Sequence, residues 1–146
     1  MIRLTILTLP ISGSKYTRTH PAIRKDLRQR YAWELLAVLS ETTWEKKPKE
    51  EIPPMQARIT VFWGKGQRSF DDDNMAEGLK PLIDGMRDIG LIRNDSRPWF
   101  RLIPTPDQQR DPKRPRVEIE LEEIARPKRR KQQGRLQGHG THRPLA

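Results

Sequence analysis

The sequence predicts a mixed α/β (α+β) domain with a small sheet of about four strands and two main helices. Four short segments carry the apolar character, and mostly the alternation, that is typical of strands. They are residues 2–9, 55–63, 99–103 and 117–122. Two longer segments, 21–40 and 75–89, repeat apolar residues every three or four positions, as amphipathic helices do. A chain of 146 residues is long enough for one such domain.

The connections between these elements are predicted from their turn-forming and charged residues. The first strand ends at Pro10, and segments 11–18 and 41–54 are polar, which predicts loops. Strand 55–63 has apolar or aromatic residues on both faces near its end, which favours a central place in the sheet. Segment 104–116 is rich in proline and charge and is predicted to be a mobile loop.

The second helix contains a proline whose effect the pattern leaves open. Pro81 either kinks the helix or marks its true first turn. Lys80 and Asp84 are one turn apart and can pair. Gly90 follows the last apolar position and is predicted to cap the C-terminus. The chain would then turn back and bring Asp95 toward the start of the helix.

The charge is concentrated at one end. The net charge is +10, and segment 126–146 carries seven Lys or Arg residues with no Asp or Glu. We therefore divide the chain into a domain, 1–125, and a basic tail, 126–146, which is expected to be disordered when free. The domain has 22 basic and 19 acidic residues. A polyanion is the expected partner, and the tail would raise affinity without reading sequence.

The composition also excludes some classes of protein. There is no cysteine, so a disulfide framework and a Cys-ligated zinc site are excluded, and a cytoplasmic location is expected. The apolar run 2–9 is too short and too polar to span a bilayer. No membrane partner is therefore expected.

Acidic residues gather at one place, Asp71, Asp72 and Asp73. On an extended segment Asp71 and Asp73 would point to the same face. Mg²⁺, with Mn²⁺ as its substitute, is the cation that such oxygen ligands suit. The alternative is a solvated helix start, because aspartate caps helices and favours their N-terminal dipole.

The wider pattern is Asp71-x-Asp73-Asn74, a helix with Lys80 and Asp84, and Gly90-Leu-Ile followed by Asp95. It resembles the RusA family of Holliday-junction resolvases over about a fifth of the chain. The resemblance implies that Asp71, Asp73 and Asp95 bind metal, and that these three and Lys80 are catalytic. Two departures are present: Asn74 and Lys80 are six positions apart where the best-known motif has three, and Asn94 replaces a further aspartate.

The resemblance implies a RusA-like fold and a function. The protein would be a Mg²⁺-dependent endonuclease that resolves Holliday junctions by paired cleavage, acting as a homodimer on four-way DNA junctions. One alternative is a nuclease for other branched DNA, such as flaps or forks. The other is a basic nucleic-acid-binding protein without catalysis, in which the aspartates only cap a helix.

Ten basic side chains are candidates for contacts to the DNA backbone. They are Lys15, Arg18, Arg24, Arg28, Arg68, Arg114, Lys128, Arg129, Arg130 and Lys131. An ordinary solvated surface is the alternative for each of them.

Overall fold

A five-stranded mixed sheet forms the centre of the computed structural model, which describes residues 1–124. The strands are β1 (Ile2–Ile6), β2 (Met55–Trp63), β3 (Phe100–Leu102), β4 (Asp107–Arg110) and β5 (Arg116–Glu123). The order is β1-β5-β2-β3, with β4 also paired to β2. The basic tail and its candidates Lys128, Arg129, Arg130 and Lys131 lie outside the described residues.

Strand β2 is central, as predicted. It pairs antiparallel with β5 along one side and parallel with β3 and then β4 along the other. Strand β1 pairs antiparallel with β5 and completes the sheet. Alternate residues of β2, such as Ile59 and Val61, are fully buried, because successive side chains of a strand point to opposite faces.

Within residues 1–124, four α-helices accompany the sheet: α1 (Gly13–Arg18), α2 (Pro21–Leu39), α3 (Asp72–Gly78) and α4 (Lys80–Asp88). A short 3₁₀ turn, Lys49–Glu51, lies before β2. Helices α2 and α4 are the two main helices that the sequence predicted, and they pack on each other. Among residues 1–124, no helix has the length and apolar character needed to cross a membrane.

Two segments predicted as loops are regular structure, so the prediction was wrong for both. Segment 11–18 contains α1, whose N-cap Ser12 accepts a hydrogen bond from the Lys15 backbone N–H at 3.2 Å. Segment 104–116 contains β4, which aligns its residues with Thr60–Trp63 of β2. The sheet therefore has five strands where about four were predicted. Both segments have contacts to distant residues that local patterns do not report.

The predicted helix 75–89 is divided at Leu79 into α3 and α4. Pro81 lies in the first turn of α4, which decides the alternative that the sequence left open. A proline has no N–H to donate to the preceding turn, so the hydrogen-bond ladder is interrupted there. Gly90 has a φ of +80°, and the Leu91 N–H donates to the Met86 carbonyl at 2.9 Å. The predicted glycine cap is confirmed.

Candidate active site

The aspartate cluster lies at the N-terminus of α3. Asp71 is the N-cap, and its two carboxylate oxygens accept hydrogen bonds from the backbone and side-chain N–H groups of Asn74, at 2.9 and 3.2 Å. Asp72 and Asp73 form the first helical turn. The prediction that Asp71 and Asp73 share one face of an extended segment was wrong, because the chain becomes helical at Asp72. All three side chains are exposed.

Asn74 connects this helix start to α1. Its side-chain oxygen accepts a hydrogen bond from the Ser14 backbone N–H at 2.9 Å. One turn further along α3, a Cβ added to Gly78 would overlap the Ile11 carbonyl oxygen. The two contacts hold α1 directly against α3, so Lys15 and Arg18, both exposed, belong to the helix beside the aspartates.

Gln108 of β4 fixes the chain just before Asp71. Its side-chain oxygen accepts hydrogen bonds from the Phe70 N–H at 2.8 Å and the Trp63 indole N–H at 3.0 Å. Its amide donates to the Phe70 carbonyl at 2.8 Å. The Phe70 ring also packs against the Trp63 ring, with centroids 4.7 Å apart. The approach to Asp71 is therefore anchored to the sheet through a residue that the sequence did not single out.

Asp95 contacts Arg87, a residue that the sequence did not mark as part of the site. An Arg87 guanidinium nitrogen lies 3.3 Å from the Asp95 carboxylate. The same guanidinium lies 3.6 Å from Asp84 and 3.9 Å from Asp88. Arg87 therefore contacts three carboxylates, two of α4 and one of the following loop. Lys80 pairs with Glu77 at 3.5 Å, and the predicted Lys80–Asp84 pair is not formed.

An open cleft of about 520 Å³ lies between α3, α4 and the segment that leads into β3. It is lined by Ala76, Lys80, Ile83, Asp84, Asp95, Arg97, Phe100, Arg101 and Leu102. Lys80 and Asp95, two of the predicted catalytic residues, thus face one space. Asp71, Asp72 and Asp73 are not lining residues of this cleft; Asp72 and Asp73 lie one helical turn before Ala76 on α3.

The donor chemistry fits Mg²⁺, although no ligand set is preformed. In the part of the chain that the structure describes, no three Asp, Glu, His or Cys side chains are grouped closely enough to hold a metal ion. The Asp71 carboxylate accepts the capping hydrogen bond from the Asn74 backbone N–H, and the Asp95 carboxylate pairs with Arg87. Mg²⁺, however, is usually held by one or two carboxylates, waters and the substrate phosphate. Asp71, Asp73 and Asp95 offer such oxygens.

Burial raises the pKa of the Asp84 carboxyl above its usual value of 3.8. Arg87 and Arg28 act in the opposite direction, and the nearby Asp95 and Asp88 add to the rise. The ionised form of Asp84 is therefore disfavoured in the fold. Structural ion networks and functional sites both show such perturbation, and here the residue lines the cleft.

Asp84→Asn should raise the melting temperature at pH 7 by a small amount, about 2 °C, because screening by solvent keeps such effects modest. The penalty on ionised Asp84 is fully present above its raised folded-state pKa and disappears as the pH falls to the ordinary 3.8. The gain in melting temperature of Asp84→Asn over the wild type should therefore become smaller as the pH is lowered. Differential scanning calorimetry between pH 7 and about pH 4 checks this. Asp26→Asn, an exposed aspartate of α2, is the control, and an equal gain there would contradict the expectation.

The remaining predicted DNA-binding residues differ in how they are engaged. Arg28 makes two hydrogen bonds to the Asp88 carboxylate, at 2.5 and 2.8 Å, and that pairing raises its pKa. The Arg24 guanidinium lies 5.6 Å from the centre of the Tyr16 ring. Arg68 and Arg114 are exposed, in the loop before Asp71 and in the turn before β5. Arg28 is thus a predicted contact that the fold already uses in an ion pair, and Arg18 donates a hydrogen bond to the Ser14 carbonyl at 3.1 Å.

No protein-family model matches this chain, and no curated protein matches it either. The resemblance to RusA resolvases consequently depends on the motif residues of the sequence alone.

Proposed function

We propose that the protein is a Mg²⁺-dependent endonuclease for branched DNA, of the Holliday-junction resolvase type, acting in the cytoplasm. One observation carries the proposal: Lys80 and Asp95, 15 positions apart in the sequence, line the same cleft. A motif that only capped a helix would not require this grouping. Mn²⁺ is expected to replace Mg²⁺.

The chain's own residues would divide the work as follows. Asp71 or Asp73, together with Asp95, would hold the cation. When bound, the cation would neutralise charge on the scissile phosphate and lower the pKa of a water. Lys80, whose side chain is 60% exposed, would place an ammonium group near the phosphate or the leaving oxygen. The pair between Lys80 and Glu77 is exposed and therefore weak.

Arg87 would keep the carboxylates compatible with one another before the cation arrives. It lies within 4 Å of Asp84, Asp88 and Asp95, where like charges would otherwise repel. A cation that binds Asp95 would compete with this guanidinium, and Arg87 would keep its contacts to Asp84 and Asp88. Binding of the metal would thus exchange one positive partner of Asp95 for another.

A homodimer is part of the proposal, because a four-way junction has two-fold symmetry and a two-fold protein places one cleft on each of two opposed strands. Two cuts at symmetric positions would then follow. Sedimentation of the protein alone and with a junction would report the stoichiometry.

The function is tested with a panel of labelled substrates: a four-way junction, a flap, a fork and a linear duplex. With Mg²⁺ or Mn²⁺, the wild type should cut the junction at two symmetric positions and the duplex poorly. Asp73→Asn should lose cleavage while it keeps junction binding. The matched control is Asp26→Asn, which removes an exposed aspartate from α2 and should leave cleavage unchanged.

The panel also separates the other candidates. Preferential cutting of flaps or forks would show that the protein is a nuclease for another kind of branched DNA rather than for four-way junctions. A wild type that cuts none of the substrates with either metal would defeat both nuclease proposals. A non-catalytic DNA-binding protein would then remain, a candidate favoured by the role of Asp71 as a helix cap.

A further inference from the structure

Two arginines of the cleft have no partner among residues 1–124. Arg97 and Arg101 are both exposed and line the cleft, yet neither side chain makes a hydrogen bond, an ion pair or a ring contact within the described chain. Other arginines nearby are engaged: Arg87 contacts three carboxylates, and the Arg93 guanidinium lies 3.8 Å from the centre of the Trp99 ring. The fold therefore has no evident use for these two charges.

The two arginines give the cleft an excess of positive charge. Lys80 lines the α4 side, and Arg97 and Arg101 belong to the segment that passes from Asp95 into β3. Two carboxylates, Asp84 and Asp95, share the cleft, and both contact Arg87, which lies outside its lining. The lining itself carries three positive and two negative side chains. An anion that enters would meet two uncompensated guanidinium groups.

The shape of the cleft suits an extended polyanion rather than an enclosed small ligand. It is open, with a volume of about 520 Å³, and its apolar lining consists of Ile83, Phe100 and Leu102. Guanidinium groups bind phosphate oxygens in pairs of parallel hydrogen bonds. Because Arg101 is on a strand that pairs with β2, its backbone is held rigidly beside the candidate active site.

We infer that Arg97 and Arg101 bind successive phosphates of the DNA strand that lies in the cleft. This inference rests on the proposed function, because it assigns these residues to the strand whose scissile phosphate would lie near Lys80 and Asp95. The contacts would be independent of base sequence, since phosphates carry no base information. They would hold the strand before any metal binds, so Arg97 and Arg101 are binding residues and take no part in the chemistry.

The test measures junction binding without metal. Fluorescence anisotropy of a labelled four-way junction in EDTA compares the wild type with Arg97→Ala/Arg101→Ala over a range of salt concentrations. Each lost phosphate contact reduces the slope of log K against log salt by about 0.9. The double variant should therefore lower the magnitude of the slope by about 1.8 and weaken binding on the order of tenfold near physiological salt.

The matched control removes the same charge elsewhere. Arg3 and Arg58 are exposed and share Glu120, at 3.2 and 3.9 Å, and neither lines the cleft. Arg3→Ala/Arg58→Ala should keep the wild-type slope to within about 0.5. Equal losses in the two double variants would overturn the inference, because they would show only a dependence on net charge.

Three further measurements separate this inference from the proposed function and from misfolding. The melting temperatures of the wild type and of Arg97→Ala/Arg101→Ala should agree within about 2 °C, since both arginines are exposed. The single variants Arg97→Gln and Arg101→Gln should each show about half of the change in salt slope that the double variant shows. If the wild type cleaves no substrate but Arg97→Ala/Arg101→Ala binds the junction more weakly, the phosphate contacts are supported and the proposed nuclease function is refuted. If the wild type cleaves the junction and Arg97→Ala/Arg101→Ala binds it as the wild type does, the phosphate contacts are refuted and the proposed nuclease function is supported.

Discussion

Asp95→Asn is expected to reduce junction cleavage by about 100-fold or more, the loss typical of removing one group that stabilises the transition state electrostatically. The asparagine keeps the shape of the side chain but loses the charge that would hold the cation. Junction binding in EDTA should stay equal or become tighter, because the variant removes one negative charge from the lining of the cleft. Single-turnover cleavage and anisotropy on the same junction measure both effects.

The stability of Asp95→Asn should change by less than about 1 kcal/mol, because the Arg87–Asp95 pair is exposed to solvent. A loss of activity therefore cannot be explained by unfolding if urea titrations agree with the wild type. Asp26→Asn again serves as the control for removing one negative charge. Cleavage by Asp95→Asn within about threefold of the wild type would remove Asp95 from the proposed site.

Gly78→Ala should destabilise the fold by about 1–3 kcal/mol, the range expected when an added methyl group has no space in a packed contact. The new Cβ would overlap the Ile11 carbonyl oxygen, so the segment that leads into α1 must move away from α3. The Ser14 to Asn74 hydrogen bond would then be strained or lost. Urea unfolding measures the change in free energy of unfolding.

The sign of this effect makes it a sharp test. In a helix without tertiary contacts, Gly→Ala is stabilising by up to about 1 kcal/mol, so local propensity and packing predict opposite outcomes. A Gly78→Ala variant that is more stable than the wild type would show that α1 does not pack on α3 in this way. Cleavage at saturating DNA should fall in Gly78→Ala, because Lys15, Arg18 and Asp71 would lose their fixed relation.

The elements that the sequence predicted correctly are those whose pattern reflects burial. Strand β2 was predicted with its observed bounds, 55–63, because its alternate residues are in the core. Helix α2 likewise begins at Pro21 as expected. In contrast, α1 and β4 are short and polar, and distant contacts hold them. Ser14 bonds to Asn74 and Gln108 to Phe70, 60 and 38 positions apart, and no local periodicity reports such contacts.

The candidate site was predicted in part for the same reason. Lys80 and Asp95 line one cleft, because a helix and its glycine cap determine how the chain returns, whereas among residues 1–124 no three metal-ligating side chains are grouped. The motif could not show that Asp95 pairs with Arg87 or that the Arg97 and Arg101 side chains have no partner among residues 1–124, since the local sequence does not report which charged side chains meet in the fold. Asp84 was predicted as a position of the motif and as a partner for Lys80, and its partial burial depends on the packing of α4.

A crystal soaked in Mn²⁺ and examined for anomalous signal tests the central claim most directly. The account predicts one peak near the start of α3, about 2.1 Å from a carboxylate oxygen of Asp71 or Asp73 and shared with Asp95, which has turned from Arg87. A soaked crystal with no peak there, and with Asp95 still paired to Arg87, would contradict it.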